Sequence, residues 1–158
     1  MADYKPKKFD GTAQTVLNST SNVTAGNFSG TPTEYDNTSD ASVPNAPFAR
    51  AVIKIPSFSA EPPVPGAVLS LWMIQKNSNG ALDDSNPPSG TTANGARFIG
   101  SFPPLAAVST EQRRTLPAID MRGVNAADFF FKNDSGVTCN GASNITLDII
   151  PYTIGVTG

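Results

Sequence analysis

Between residues 48 and 55 apolar and polar side chains alternate, with Ala49, Ala51, Ile53 and Ile55 on one face and Arg50 and Lys54 on the other. This alternation predicts a strand with one buried face. Residues 67–75 are apolar on both faces, Leu69, Leu71 and Met73 opposing Val68, Trp72 and Ile74. Such a strand is expected to be covered on both sides. Residues 128–132, with Phe129, Phe130 and Phe131 in succession, predict a second core strand. Shorter strands are expected over 97–102 and 111–119. The last strand, 145–154, places Ile145, Leu147 and Ile149 on one face and Ile150, Tyr152 and Ile154 on the other. The apolar phase slips by one residue beside Pro151, which predicts a β-bulge or a strand crossing between sheets.

Punctuation between these runs is dense. Thirteen glycines and fourteen prolines divide the chain, among them Pro56 and the Pro62-Pro63-Val64-Pro65-Gly66 run. Residues 12–45 are rich in Asn, Ser, Thr and Gly with isolated Val16, Leu17, Val23, Phe28 and Tyr35, which predicts one or two short strands and long loops. Residues 76–96 form a long polar loop, and a turn is expected at 133–136. No stretch keeps helical periodicity with caps; 105–114 forms at most one or two turns. The fold class that follows is all-β, an antiparallel two-sheet sandwich of jelly-roll type. Residues 1–11, with Pro6 and the Asp10-Gly11 turn signal, read as an extended N-terminal arm, and 12–158 as a single domain.

Composition narrows the chemistry. The 158 residues contain no histidine and one cysteine, Cys139, which removes the commonest general base and metal ligand together. No Ser-x-x-Lys or Gly-x-Ser-x-Gly pattern supplies a substitute nucleophile, so an enzyme is not expected. A carboxylate pair drawn from Glu34, Asp36, Asp83, Asp84, Glu111, Asp128 and Asp148 is the remaining catalytic arrangement. Most of these acids, however, sit beside turn residues, where Asp simply bonds the backbone. The same holds for calcium at Asp36-Asn37-Thr38-Ser39-Asp40 or Asp83-Asp84-Ser85-Asn86, neither of which matches the twelve-residue calcium loop. No cofactor and no metal are expected. The Asn-x-Ser/Thr triplets arise by chance in so polar a chain, and glycosylation is discounted without a secretory signal. With a net charge of −2 and only 15% charged residues, nucleic acid is not an expected partner. The apolar stretch at 67–74, interrupted by Ser70, falls short of the ~20 residues that span a bilayer, so no membrane insertion is expected.

Three surface features carry interaction readings. The doubly apolar strands need an outer cover from a loop, an arm or another subunit, which nominates Trp72, Ile74 and Phe130 as an oligomer face. The N-terminal arm offers Tyr4, Lys5, Lys7, Lys8 and Phe9, two aromatic anchors among three cations, to an acidic protein surface; the plainer alternative is a frayed terminus. Asp83, Asp84 and Asn86 mark the polar loop as a functional one if it is exposed. Trp72, Tyr35, Tyr152 and the Phe cluster also suggest a sugar-stacking platform, although such residues more often belong to a core.

The order of segments resembles the small jelly-roll cement, or decoration, proteins on the heads of tailed bacteriophages. The likeness lies in the Asn/Ser/Thr-rich approach to Tyr35-Asp36-Asn37, the strand led by Pro65-Gly66 and the polar loop with Asp83-Asp84. It continues through Phe98-Ile99-Gly100-Ser101-Phe102, 128–133 before Ser135-Gly136, and the closing 144–152 strand. The likeness covers nearly the whole domain and is one of order and texture. The resemblance implies a non-enzymatic virion protein on the outer surface of the head, made in the bacterial cytoplasm. It would act as a homo-oligomer, dimer or trimer, clamping neighbouring major capsid subunits. The alternative is a carbohydrate-binding β-sandwich module of a tail, fibre or host-surface accessory.

Overall fold

The computed structural model describes residues 5–59, 61–76 and 87–157. Eleven strands appear in it: β1 (Lys5–Asp10), β2 (Gln14–Ser19), β3 (Tyr35–Asp36), β4 (Phe48–Ile55), β5 (Ser57–Phe58) and β6 (Val68–Lys76), followed by β7 (Arg97–Phe102), β8 (Gln112–Asp120), β9 (Ala126–Asp134), β10 (Cys139–Asn140) and β11 (Ile145–Thr157). Among the described residues there is no helix, and residues 105–111 are irregular. All strand pairings are antiparallel.

Two sheets form the body. The first runs β2-β11-β4-β8, with β1 also on β11, and the second runs β3-β9-β6-β7. With β1 set aside, the other eight strands of these two sheets, counted in chain order, run one-eight-three-six in the first sheet and two-seven-four-five in the second. That is the strand order of a jelly roll, two Greek keys folded face to face. A small β5-β10 ribbon lies at one end.

Alternation along the strands builds the core. From the first sheet Ala49, Ala51, Ile53, Ile55, Ile145, Leu147 and Ile149 are buried, and from the second Tyr35, Leu69, Leu71, Met73, Phe129 and Phe131. The pattern of β4 is the one its sequence predicts. The isolated apolar residues of 12–45 also join: Val16, Leu17, Val23 and Tyr35 belong to this core, and Phe28 is buried elsewhere.

The segment between β2 and β3 does more than connect. Gly26 N–H donates to the Asn133 carbonyl at 2.6 Å, Asn133 N–H to Asn27 at 2.9 Å and Ser29 N–H to Phe131 at 2.7 Å, so residues 26–29 satisfy the edge of β9 that β3 leaves open. This lays Phe28 on the outer face of the second sheet. There Phe28, Ile74, Ala96 and Phe130 are buried together, with Trp72 and Ala93 packed against them.

Pro151 occupies an interior strand without slipping it. Pairing of β11 with β4 runs unbroken from Thr146↔Lys54 to Tyr152↔Phe48. On its other edge β11 pairs β2 through Ile149 and β1 from Tyr152. Pro151 therefore sits in the gap between two partners, where no ladder N–H is demanded of it, and its carbonyl accepts the Gly11 N–H at 2.8 Å. The expected phase slip beside Pro151 is corrected. The one irregularity in these pairings falls between Leu147 and Asp148, against β2, and Tyr152 and Ile154 are simply apolar residues on the outer face.

Candidate interaction surface

The N-terminal residues are extended, but from Lys5 onward they are not a free arm. Strand β1 pairs β11 from Lys5↔Thr157 to Asp10↔Tyr152, while β4 stops opposite Tyr152. Residues 5–9 and 153–157 therefore form a two-stranded ribbon reaching past the end of β4.

The two faces of the ribbon differ. On one, Phe9 lies against Gly155, where a β-carbon would sit 2.8 Å from the ring, and the Lys7 ammonium is 5.4 Å from the Phe9 centroid. On the other, Lys8 stands opposite Ile154. Its ammonium is 4.2 Å from the centre of the Tyr152 ring, which stacks on Phe48 at 5.6 Å. Asp10 bridges Lys8 at 2.9 Å and Arg50 at 3.3 Å. Ile154 is 58% exposed. It borders a cleft of about 340 Å³ together with Pro6, Lys7, Lys8, Pro117 and Tyr152. Of the predicted arm residues, Lys7 and Phe9 thus share one face of the ribbon and Lys8 lies on the other. Lys5 is placed by register alone, and Tyr4 lies outside the described residues.

Of the predicted oligomer face, Ile74 and Phe130 are buried within this chain and Trp72 is half-buried. Ile74 and Phe130 are sealed by this chain's own residues, Phe28 and Ala96, and Trp72 is held edge-on between Phe28 at 5.6 Å and Phe98 at 5.5 Å. An outer cover was needed, and a loop supplies it. The apolar side chain left open on this side is Phe98, 53% exposed. The proposed sugar platform is not assembled either. Tyr35, Phe129 and Phe131 are in the core, Tyr152 is on the outer face of the first sheet, and Trp72 is on that of the second. Asp83, Asp84 and Asn86 lie outside the described residues.

The described carboxylates hold structure. Asp36 Oδ1 accepts from the Thr38 backbone at 2.8 Å and its hydroxyl at 2.7 Å. Asp40 Oδ1 accepts from Ser42 N–H and Oγ–H, while Oδ2 takes the Thr12 N–H. The Ser42 hydroxyl above all, and then the Thr12 N–H, hold the Asp40 carboxyl down to about 2. Lys76 joins Glu34 at 2.8 Å and Asp128 at 3.1 Å. Glu111 pairs Arg113 at 2.9 Å, and Asp148 accepts from Thr15 at 2.6 Å. Burial pushes the Cys139 thiol up to about 12, which keeps it an inert, protonated core residue.

Sequence reasoning missed two features. One is the role of 153–157 as partner of the N-terminal strand, since the last strand was expected to end at 154. The other is Asn133, a buried hub rather than a turn residue, for which the Asn-Asp-Ser-Gly string gives only a turn signal.

No family model matches the chain, and no curated protein matches it. Among solved structures, the crystal structure of the SPBc2 prophage-derived protein YomS is similar over 94% of this chain and 96% of its own, at 14% identity and a TM-score of 0.42.

Proposed function

We propose that this chain is a non-enzymatic virion structural protein, a cement or decoration protein that binds the outside of a tailed-phage head and clamps neighbouring major capsid subunits. The observation that carries the reading is the strand order of the two sheets, which supplies the jelly-roll frame implied by the order and texture of the sequence. The ribbon supports it too, because it presents cations and an open apolar side chain beyond the sandwich. Clamping is a matter of avidity. A dimer or trimer that touches several lattice subunits gains effective concentration, so modest contacts at each site add to a stable hold.

The test is co-sedimentation with expanded, undecorated heads of the source phage. Saturable binding at a copy number commensurate with the lattice is the expected result. No binding sinks the cement reading, and a positive glycan array would then favour the carbohydrate-binding alternative.

A further inference from the structure

The cleft at the base of the terminal ribbon has a defined chemistry. Its floor is apolar, made by Pro6, Pro117, Tyr152 and the open Ile154; Lys8, bridged to Asp10, stands over Tyr152 on this face, while Lys7 borders the cleft from the ribbon's other face, its ammonium over Phe9. Three of the eleven Lys and Arg residues of a chain with net charge −2 fall at positions 5, 7 and 8, so this end of the molecule opposes the sign of the whole. A second copy of the ribbon does not suit the site. The Lys-Pro-Lys-Lys run of β1 would set like charges against one another, and Pro6 removes a ladder donor from the edge, the two devices by which edge strands resist self-pairing. The same run attracts an extended segment of opposite charge.

We propose that this cleft is a docking site for an acidic, extended segment of another protein, with an apolar side chain seated against Pro6 and Ile154 and flanking carboxylates reaching Lys8 in the cleft and Lys7 across the open edge of β1. The site goes beyond the head-binding reading, since its own chemistry defines it and it is tested without heads.

The full chain, labelled with nitrogen-15, is titrated with a soluble heptapeptide alternating glutamate with leucine, and separately with its lysine-for-glutamate counterpart. The acidic peptide is expected to shift amides at 7–9, Ala118 and 152–155, with affinity that falls as salt rises. Lys7→Glu with Lys8→Glu should weaken it at least about tenfold, through like-charge repulsion. Ile154→Ser, which leaves the charges intact, should weaken it as well. The spectra of both variants away from the ribbon serve as the check that they fold. Equal binding of the two peptides, shifts that map elsewhere, or no binding by the acidic peptide would each overturn the proposal.

Discussion

Replacing Asn133 with alanine is expected to cost about 2–4 kcal/mol of folding stability, from the hydrogen bonds it removes and the buried amide it strands. Asn133 is fully buried. Its Nδ2 donates to the carbonyls of Val23 at 2.7 Å and Val137 at 2.8 Å, and its Oδ1 accepts from Ser135 N–H at 3.1 Å and Ser135 Oγ–H at 2.6 Å. The side chain thereby ties the segment after β2, the end of β9 and the approach to β10 into one network. Alanine leaves the Ser135 amide without a partner and takes one of two bonds from each carbonyl, Val23 keeping the Cys139 N–H at 2.9 Å and Val137 the Ser135 hydroxyl at 2.9 Å. A buried group left unsatisfied costs roughly 1–3 kcal/mol, and a typical domain has only about 5–15 kcal/mol in hand. Asn140→Ala is the matched control. Asn140 bonds only the Ala142 amide on the surface, at 3.0 Å, and its loss should stay within about 1 kcal/mol. Urea unfolding of the two variants separates the outcomes, and equal midpoints would refute the hub.

Phe28→Ala is expected to lower stability by about 3 kcal/mol, the low end for a buried phenylalanine because Phe28 packs on an outer face rather than between the sheets. Phe28 is 8% exposed. Its ring meets Trp72 edge-to-face at 5.6 Å and lies 6.0 Å from the Lys132 ammonium, and its N–H donates to Gly90 at 2.8 Å. Removing the ring opens Trp72, Ile74 and Phe130 together. A contiguous apolar patch of that kind promotes association, so the variant should also self-associate as its concentration rises. Light scattering beside the unfolding curve reads both effects. A variant with unchanged stability and unchanged mass would mean that Phe28 is not the seal.

These expectations show where the sequence was legible. Strand β4 was readable because one of its faces is buried and the other wet, so the period of two appears undisguised. In β6 and β9 the doubly apolar pattern correctly announced a second cover. What it could not announce was the source, because Phe28, Ala93 and Ala96 lie in stretches whose glycines, prolines and asparagines read as loops. The pattern therefore leaves the cover open among a loop, an arm and another subunit, and the nominated oligomer face follows only the last of these. Tertiary placement, not local pattern, puts residues 26–29 along the open edge of β9.

The ends of the chain were obscured for a similar reason. Lysines and Pro6 make β1 resemble a solvated arm, and its pairing depends on β11 continuing to Thr157, past the point where apolar alternation fades. At Pro151 the sequence suggested a broken register. Ladder geometry removes the need for one, since the proline sits where β11 changes partners from β2 to β1. Fold class was thus readable from period and punctuation. The interaction surface needed the register.

Clamping of a pressurised lattice is the central claim, and heat-induced DNA release from filled heads tests it most directly. Heads of the source phage that lack this protein are heated with and without a saturating amount of it, and the temperature at which packaged DNA becomes accessible to an intercalating dye is recorded. Decorated heads should hold their DNA to a higher temperature than bare ones, since a ligand that binds only the intact lattice stabilises it by mass action. Heads that take up the protein yet release DNA at the bare-head temperature, or that take up none, would contradict the account.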